Sequence, residues 1–421
     1  MASGPASSSF DFATILRDGD HIAWPQGTGE PTGLSSRLMA QADALPPVTL
    51  VLGMVTSRTL DRAGADTFRY LCLNGAANTR KAVARSGGRV IPAHISAIPG
   101  LILSGRIKVD VALIRVRPTA DPTKYSLGVM TDFVHEMIAS ARVVVAELDE
   151  RMPLTTGDTL VDRDAITHLA IADGDEPLIV DATPSAADEA VAKRVAELIP
   201  DRATVQFGVG GLPVAVARAL GGHQQLGLHS GVITDAAVDL IEAGVVTNRY
   251  KGIDYGVSVT GGLFGSRRLL DFADRNAGIA MRRATYTHSA AAMAQIEGLF
   301  SINSAVGIDL SGQVNAEVAG DRYVGAVGGQ VDFVRGARLS PGGRSIIALA
   351  STTPDGRHSK IVANLGVQPV TTARSDVDLV VTEFGVADLW GLDLLARAKA
   401  LAAIAHPTFR DALAADIRAA S

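Results

Sequence analysis

Short β-branched runs alternate with helix-compatible stretches through the first part of the chain. This alternation constrains the fold more than any other feature. Val48–Leu52, Val109–Val116 and Val143–Leu148 have strand length and strand composition, and the helix-compatible segment Phe133–Ala141 precedes the last of them. Such alternation points to βαβ units and a largely parallel sheet.

The pattern restarts near Asp181–Ser185. Thr183-Pro184 predicts an N-cap followed by proline at the first helical position. Val191, Val195, Leu198 and Ile199 then fall on one helical face. Ala203–Gly208 reads as a strand ending in a glycine turn, Pro213–Leu220 as a helix opened by proline, and Gln225–Leu228 as a short strand. A helix is predicted over Thr234–Ala243, with Thr234 as cap and Gly244 as terminator. Gly256–Thr260, Ile346–Ala350 and Val377–Thr382 read as further strands. At 421 residues the chain exceeds the size at which one core usually stops growing. The expectation is an α/β protein with two open α/β domains, residues 1–182 and 183–421.

Composition removes several classes of function. Hydrophobic residues at 47% supply a core and argue against disorder. A net charge of −5 with no long basic run gives no phosphate-neutralising face, so no nucleic-acid partner is expected. The single cysteine, Cys72, excludes an internal disulfide framework and fits a reducing cytoplasm. Residues 1–9 have neither a basic nor an apolar segment and read as a tail, not a signal peptide. No apolar stretch is long and clean enough for a bilayer, so no membrane partner is expected. With no His-Glu-x-x-His or paired Cys-x-x-Cys motif, no metal is expected either.

In an open parallel sheet, ligands bind beyond the carboxyl ends of the strands. Gly208-Val-Gly-Gly211 follows a strand and precedes a helix. It reads either as a tight turn or as a loop whose amides face an anion. Gly325–Phe333 carries a second such loop, where glycine lets backbone amides approach a carbonyl oxygen closely. Glu383 ends an apolar strand, where a carboxylate needs a partner; it reads as a site residue or as a structural ion pair. His229 and Ser230 are neighbours on an extended segment and point to opposite faces, so they do not form a dyad with each other.

Three segments carry a resemblance: Ile302–Asn315, Val327–Gly336 and Val380–Trp390. Together they closely resemble the acetyl-CoA hydrolase / 4-hydroxybutyrate CoA-transferase family. The match is strongest from about Gln206 to the C-terminus, including Ala403–Arg410, and looser in Gly27–Pro31, Arg89–His94 and Tyr125–Gly128. The resemblance implies two related α/β domains of the CoA-transferase type, with the active site in the cleft between them. It also implies a coenzyme A thioester as substrate, a small-molecule acceptor, no tightly bound cofactor and a homodimer. Catalytic candidates on this basis are His229, Ser230, Asn315 and Glu383. Substrate-binding candidates are Gln206, Gly208, Gly210, Gly262, Gly328, Gly329 and Gln330.

The chain departs from the family at informative places. Relatives show His-Ser-Glu with a nucleophilic glutamate where this chain has His229-Ser230-Gly231. A second glutamate, in Ser-Ala-Ile-Glu-Val-Asp, is Gly307 here. The segment Ala284–Ser289, near which some relatives place the nucleophile, has no carboxylate. In domain one, Arg117–Lys124 departs from a Pro-x-Asp-x-x-Gly loop, and Asp149 stands where asparagine is common. The reading is an acyl-CoA enzyme that transfers acyl or CoA groups without the usual glutamyl-CoA intermediate. Thioester hydrolysis and a non-catalytic CoA-ester binding subunit are the alternatives.

Overall fold

The computed structural model describes residues 10–85 and 87–420. The chain forms two compact units. The first holds residues up to Val180 together with Val259–Thr287 and Tyr323–Gly328. The second holds Asp181–Ser258, His288–Arg322 and Gly329–Ser421. Neither unit is a single stretch of sequence.

The first unit is built on a mainly parallel sheet. Its strands run in the order His168–Ile171, Val143–Leu148, Val111–Pro118, His21–Trp24, Thr49–Leu52, Arg69–Cys72, Gly88–Val90. Thr49–Leu52 is buried along its whole length, as is Val111–Val116, which explains why Leu50–Leu52 and Val111–Ile114 read as continuous apolar runs. Trp24, Leu34, Leu50, Tyr70 and Leu113 belong to its core. Inside it, Arg115 donates from Nε (2.9 Å) and Nη2 (2.6 Å) to Asp149 Oδ2. Burial pushes the Asp149 carboxyl up, but Arg151 and Arg115 prevail and hold it at about 2.

The second unit has a six-stranded sheet. The order is Gly227–Leu228, Thr204–Phe207, Leu299–Ser304, Arg344–Ala348, Leu379–Thr382, Gly385–Asp388. The first five are parallel and the last is antiparallel. Its core includes Val314, Val334, Ile347, Val380 and Leu401.

Several local expectations shift. The cap of the helix Ala186–Leu198 is Ser185, not Thr183. Ser185 Oγ accepts from the Asp188 amide and the Asp188 side chain answers the Ser185 amide, a complete capping box. The helix Gly211–Ala219 begins two residues before Pro213. Gln225 has φ +62°, so its strand starts only at Gly227. Thr234 stands at the N-cap of Asp235–Glu242, but its side chain makes no capping bond. Among the described residues, no helix is long and apolar enough to cross a membrane.

Candidate functional site

Beyond the carboxyl ends of the second unit's parallel strands lie Gly208, His229, Ala305, Leu349 and Glu383, each following the last residue of a strand. A parallel sheet presents its ligand-facing loops there. Of the residues expected from sequence, Gln206, Gly208, Gly210, His229, Ser230, Asn315, Gly329, Gln330 and Glu383 belong to this unit. Gly262 and Gly328 belong to the first unit. In that unit a side chain on Gly262 would strike Met130, and the Gly328 carbonyl accepts from the Ile95 amide.

His229 and Ser230 are fully buried. Ser230 Oγ donates to the Phe207 carbonyl at 2.9 Å, which ties it to the neighbouring strand end. The His229 ring meets Phe333 edge-on at 6.5 Å. Gly231 comes next, and a side chain there would compete for space with His288. A Cβ there would stand 2.8 Å from His288 Cε1 and 2.9 Å from His288 Nε2. A Cβ on Gly329 would stand 2.5 Å from the same Nε2. The imidazole thus occupies the space over two glycines, with Phe333 tilted against it at 4.8 Å. Burial, with a smaller contribution from His229, pushes the His288 pKa down to about 3, so the ring is neutral near pH 7.

Glu383 is half-buried. Its Oε2 accepts from the Ser351 amide at 2.9 Å and its Oε1 from Ser351 Oγ at 2.6 Å. Arg194 Nε donates to the Glu383 carbonyl at 3.1 Å. The carboxylate is therefore fixed by a neutral fork and not by an ion pair.

Asn315 is spent locally. Its Oδ1 accepts from the Glu317 and Val318 amides, and its Nδ2 donates to the Val318 carbonyl. It closes a turn. Gln330 is likewise engaged: Nε2 donates to the Ser304 carbonyl and Oε1 accepts from Thr372. Gln206 accepts from Asn303 Nδ2 at 3.2 Å. Gly210 has φ +120°, a conformation that favours glycine, and opens the helix Gly211–Ala219. A side chain on Gly208 would meet only open space, so crowding does not explain that glycine.

Sequence reasoning missed His288, Ser351 and Phe333 as neighbours of these residues. The segment holding His288 has no carboxylate; the signal lies in the pairing of that histidine with glycines at 231 and 329.

A family model described as the acetyl-CoA hydrolase/transferase N-terminal domain matches residues 7–181, and one described as the C-terminal domain matches 265–417. The 4-hydroxybutyrate coenzyme A transferase of Clostridium kluyveri is 36% identical over 410 residues, covering 94% of each chain. This chain belongs to the acetyl-CoA hydrolase/transferase family. Among solved structures, RipA from Yersinia pestis superimposes with a TM-score of 0.89 at 29% identity, over 97% of this chain and 96% of that one. The 4-hydroxybutyrate CoA-transferase (abfT-2) from Porphyromonas gingivalis does so with a TM-score of 0.80 at 32% identity, over 97% and 95%. The fold class is that of these two-domain α/β proteins, and this family member is an acyl-CoA transferase/hydrolase-like enzyme.

Proposed function

We propose that this family member moves a group from an acyl-CoA thioester to a bound acceptor directly, with no glutamyl-CoA intermediate. The observation that carries this reading is the His288 ring lying over Gly231, the position where the sequence resemblance expects the nucleophilic glutamate. No carboxylate stands there, and the space for one is filled. In the direct path an acceptor carboxylate oxygen bonds to the thioester carbonyl carbon. Collapse of that adduct breaks the C–S bond and expels CoA thiolate, leaving an anhydride. The thiolate then attacks the acceptor-derived carbonyl, breaks the anhydride C–O bond and releases the donor acid. Amides of the Gly208–Gly211 and Gly329 loops are the proposed donors to the oxyanion. Glu383, held by Ser351, is the proposed orienting carboxylate, and His229 and Ser230 shape the pocket wall.

A free-thiol assay with and without acceptor tests this. Transfer between carboxylates releases no net thiol, and acyl transfer to another acceptor releases it only when that acceptor is present. Thiol released in water alone replaces transfer with hydrolysis. The family resemblance also supports a homodimer, and the single cysteine fits a reducing cytoplasm; sedimentation and cell fractionation test these.

A further inference from the structure

Gly307 lies on a small sheet in the second unit, formed by Gly307–Asp309, Val314–Asn315 and Ile361–Val362. Gly307 pairs with Asn315 on one side. On the other, Ile308 pairs with Ile361, and the Ile308 amide donates to the Lys360 carbonyl at 2.8 Å. Register therefore places Lys360 opposite Gly307, and cross-strand neighbours project to the same face. Over that face opens a cavity of about 240 Å³, lined by Gly307, Asn315, Lys360, Val362 and Leu365 among others.

The charge balance in this cavity is incomplete. Among the described residues, no carboxylate lies within ion-pair distance of the Lys360 ammonium. Burial lowers its pKa, while the more distant Asp188 and Glu383 oppose that shift. Both of those carboxylates have their own partners, the Ser185 cap and Ser351. A cation in a partly apolar cavity is stabilised by an anion brought in from outside. Gln368 also lines the cavity, with Nε2 tied to the Gly320 carbonyl and Oε1 unpartnered. That oxygen requires a donor, so an anion belongs against Lys360 and not against Gln368.

We propose that this cavity is a subsite for a short carboxylate, whose oxygens pair with Lys360 in the space that a side chain at Gly307 would fill. The inference rests on the acyl-CoA reading for the ligand's source. That source is either the distal carboxylate of a dicarboxylic acyl-CoA or a free acid acceptor.

Calorimetric titration of the full chain separates these. Succinyl-CoA and butyryl-CoA have acyl chains of the same length, and only the first ends in a carboxylate. If the carboxylate is tethered, the parent binds succinyl-CoA more tightly by on the order of 10-fold, and Lys360→Met and Gly307→Glu each abolish the difference. If it is free, the parent binds butanoate, and both variants weaken that binding about 10-fold or more. Gly307→Ala, which adds bulk without charge, keeps the parent's preference in either case. Should Lys360→Met fail to fold, Gly307→Glu against Gly307→Ala still reads the subsite. Equal behaviour of parent and charge variants in both arms overturns the subsite. Absence of binding by any CoA ester, with the butanoate arm still responding to Gly307→Glu, overturns the acyl-CoA reading and leaves the subsite standing.

Discussion

His288 Nε2 lies 2.9 Å from the point at which a Cβ on Gly231 would stand. Real side chains do not approach so closely, so residues 231 and 288 compete for one volume. Gly231→Glu alone must displace a ring that is also held against Gly329 and Phe333. The single variant is expected to remain without CoA-transferase gain, because misplacement by about 1 Å costs on the order of 100-fold. Gly231→Glu with His288→Ala frees the volume and is expected to exceed the single variant by a comparable factor. Acetyl-CoA with a labelled carboxylate reads the exchange. Equal rates for single and double variants would show that His288 does not control the position.

A buried neutral histidine makes stability depend on pH. His288 binds a proton near pH 3 when folded and near its ordinary 6.5 when unfolded. Between those values the unfolded state carries more protons, so this group's contribution falls as pH falls from 6.5 towards 3. The slope is at most about 1.4 kcal/mol per pH unit. Urea melts of the parent and His288→Leu at pH 7, 5 and 4 should show a shallower decline for the variant; parallel declines would contradict the buried neutral ring.

Ser351 orients Glu383 through both its amide and its hydroxyl. Ser351→Ala keeps the amide bond and removes the 2.6 Å hydroxyl bond. A hydrogen bond to a charged group contributes roughly 1.5–3 kcal/mol, so turnover is expected to fall about 10-fold or more if that orientation serves the reaction. The KM for the CoA ester should change little. A normal kcat in a folded Ser351→Ala protein would make the fork structural only.

Asp149 and Arg115 are a buried pair in the first unit. Asp149→Asn removes the nearer of Arg115's two carboxylate partners, leaving Glu176 at 3.3 Å, and is expected to cost about 3 kcal/mol. Because Asp149 is held at about 2 when folded, its stabilisation is complete above its unfolded pKa of about 4 and is lost as pH falls through 2. Denaturant melts of both proteins at pH 7 measure the cost, and an unchanged midpoint would refute it.

The sheets were legible in sequence because their central strands are buried on both faces, so Leu50–Leu52 and Val143–Ala146 appear as plain apolar runs. Helix starts were less legible. Ser185 and Thr183 are both competent caps, and the choice depended on Asp188 reaching back three residues. The composition of the second unit, with Val259–Thr287 and Tyr323–Gly328 excluded from it, arises from contacts distant in sequence. Glu383 was legible because a carboxylate at an apolar strand end needs a partner. His288 was not, because its importance lies in the two glycines it covers, 57 and 41 residues away along the chain by position number. Lys360 was hidden similarly: only strand register sets it opposite Gly307.

Direct transfer is tested most directly by initial rates with acyl-CoA and acceptor varied together, joined to intact-mass analysis after acyl-CoA and borohydride. Lines that intersect, with no CoA-derived mass on the protein, are the expected result. Parallel lines with a trapped adduct on any residue, Glu383 included, would restore a covalent intermediate and contradict the direct path.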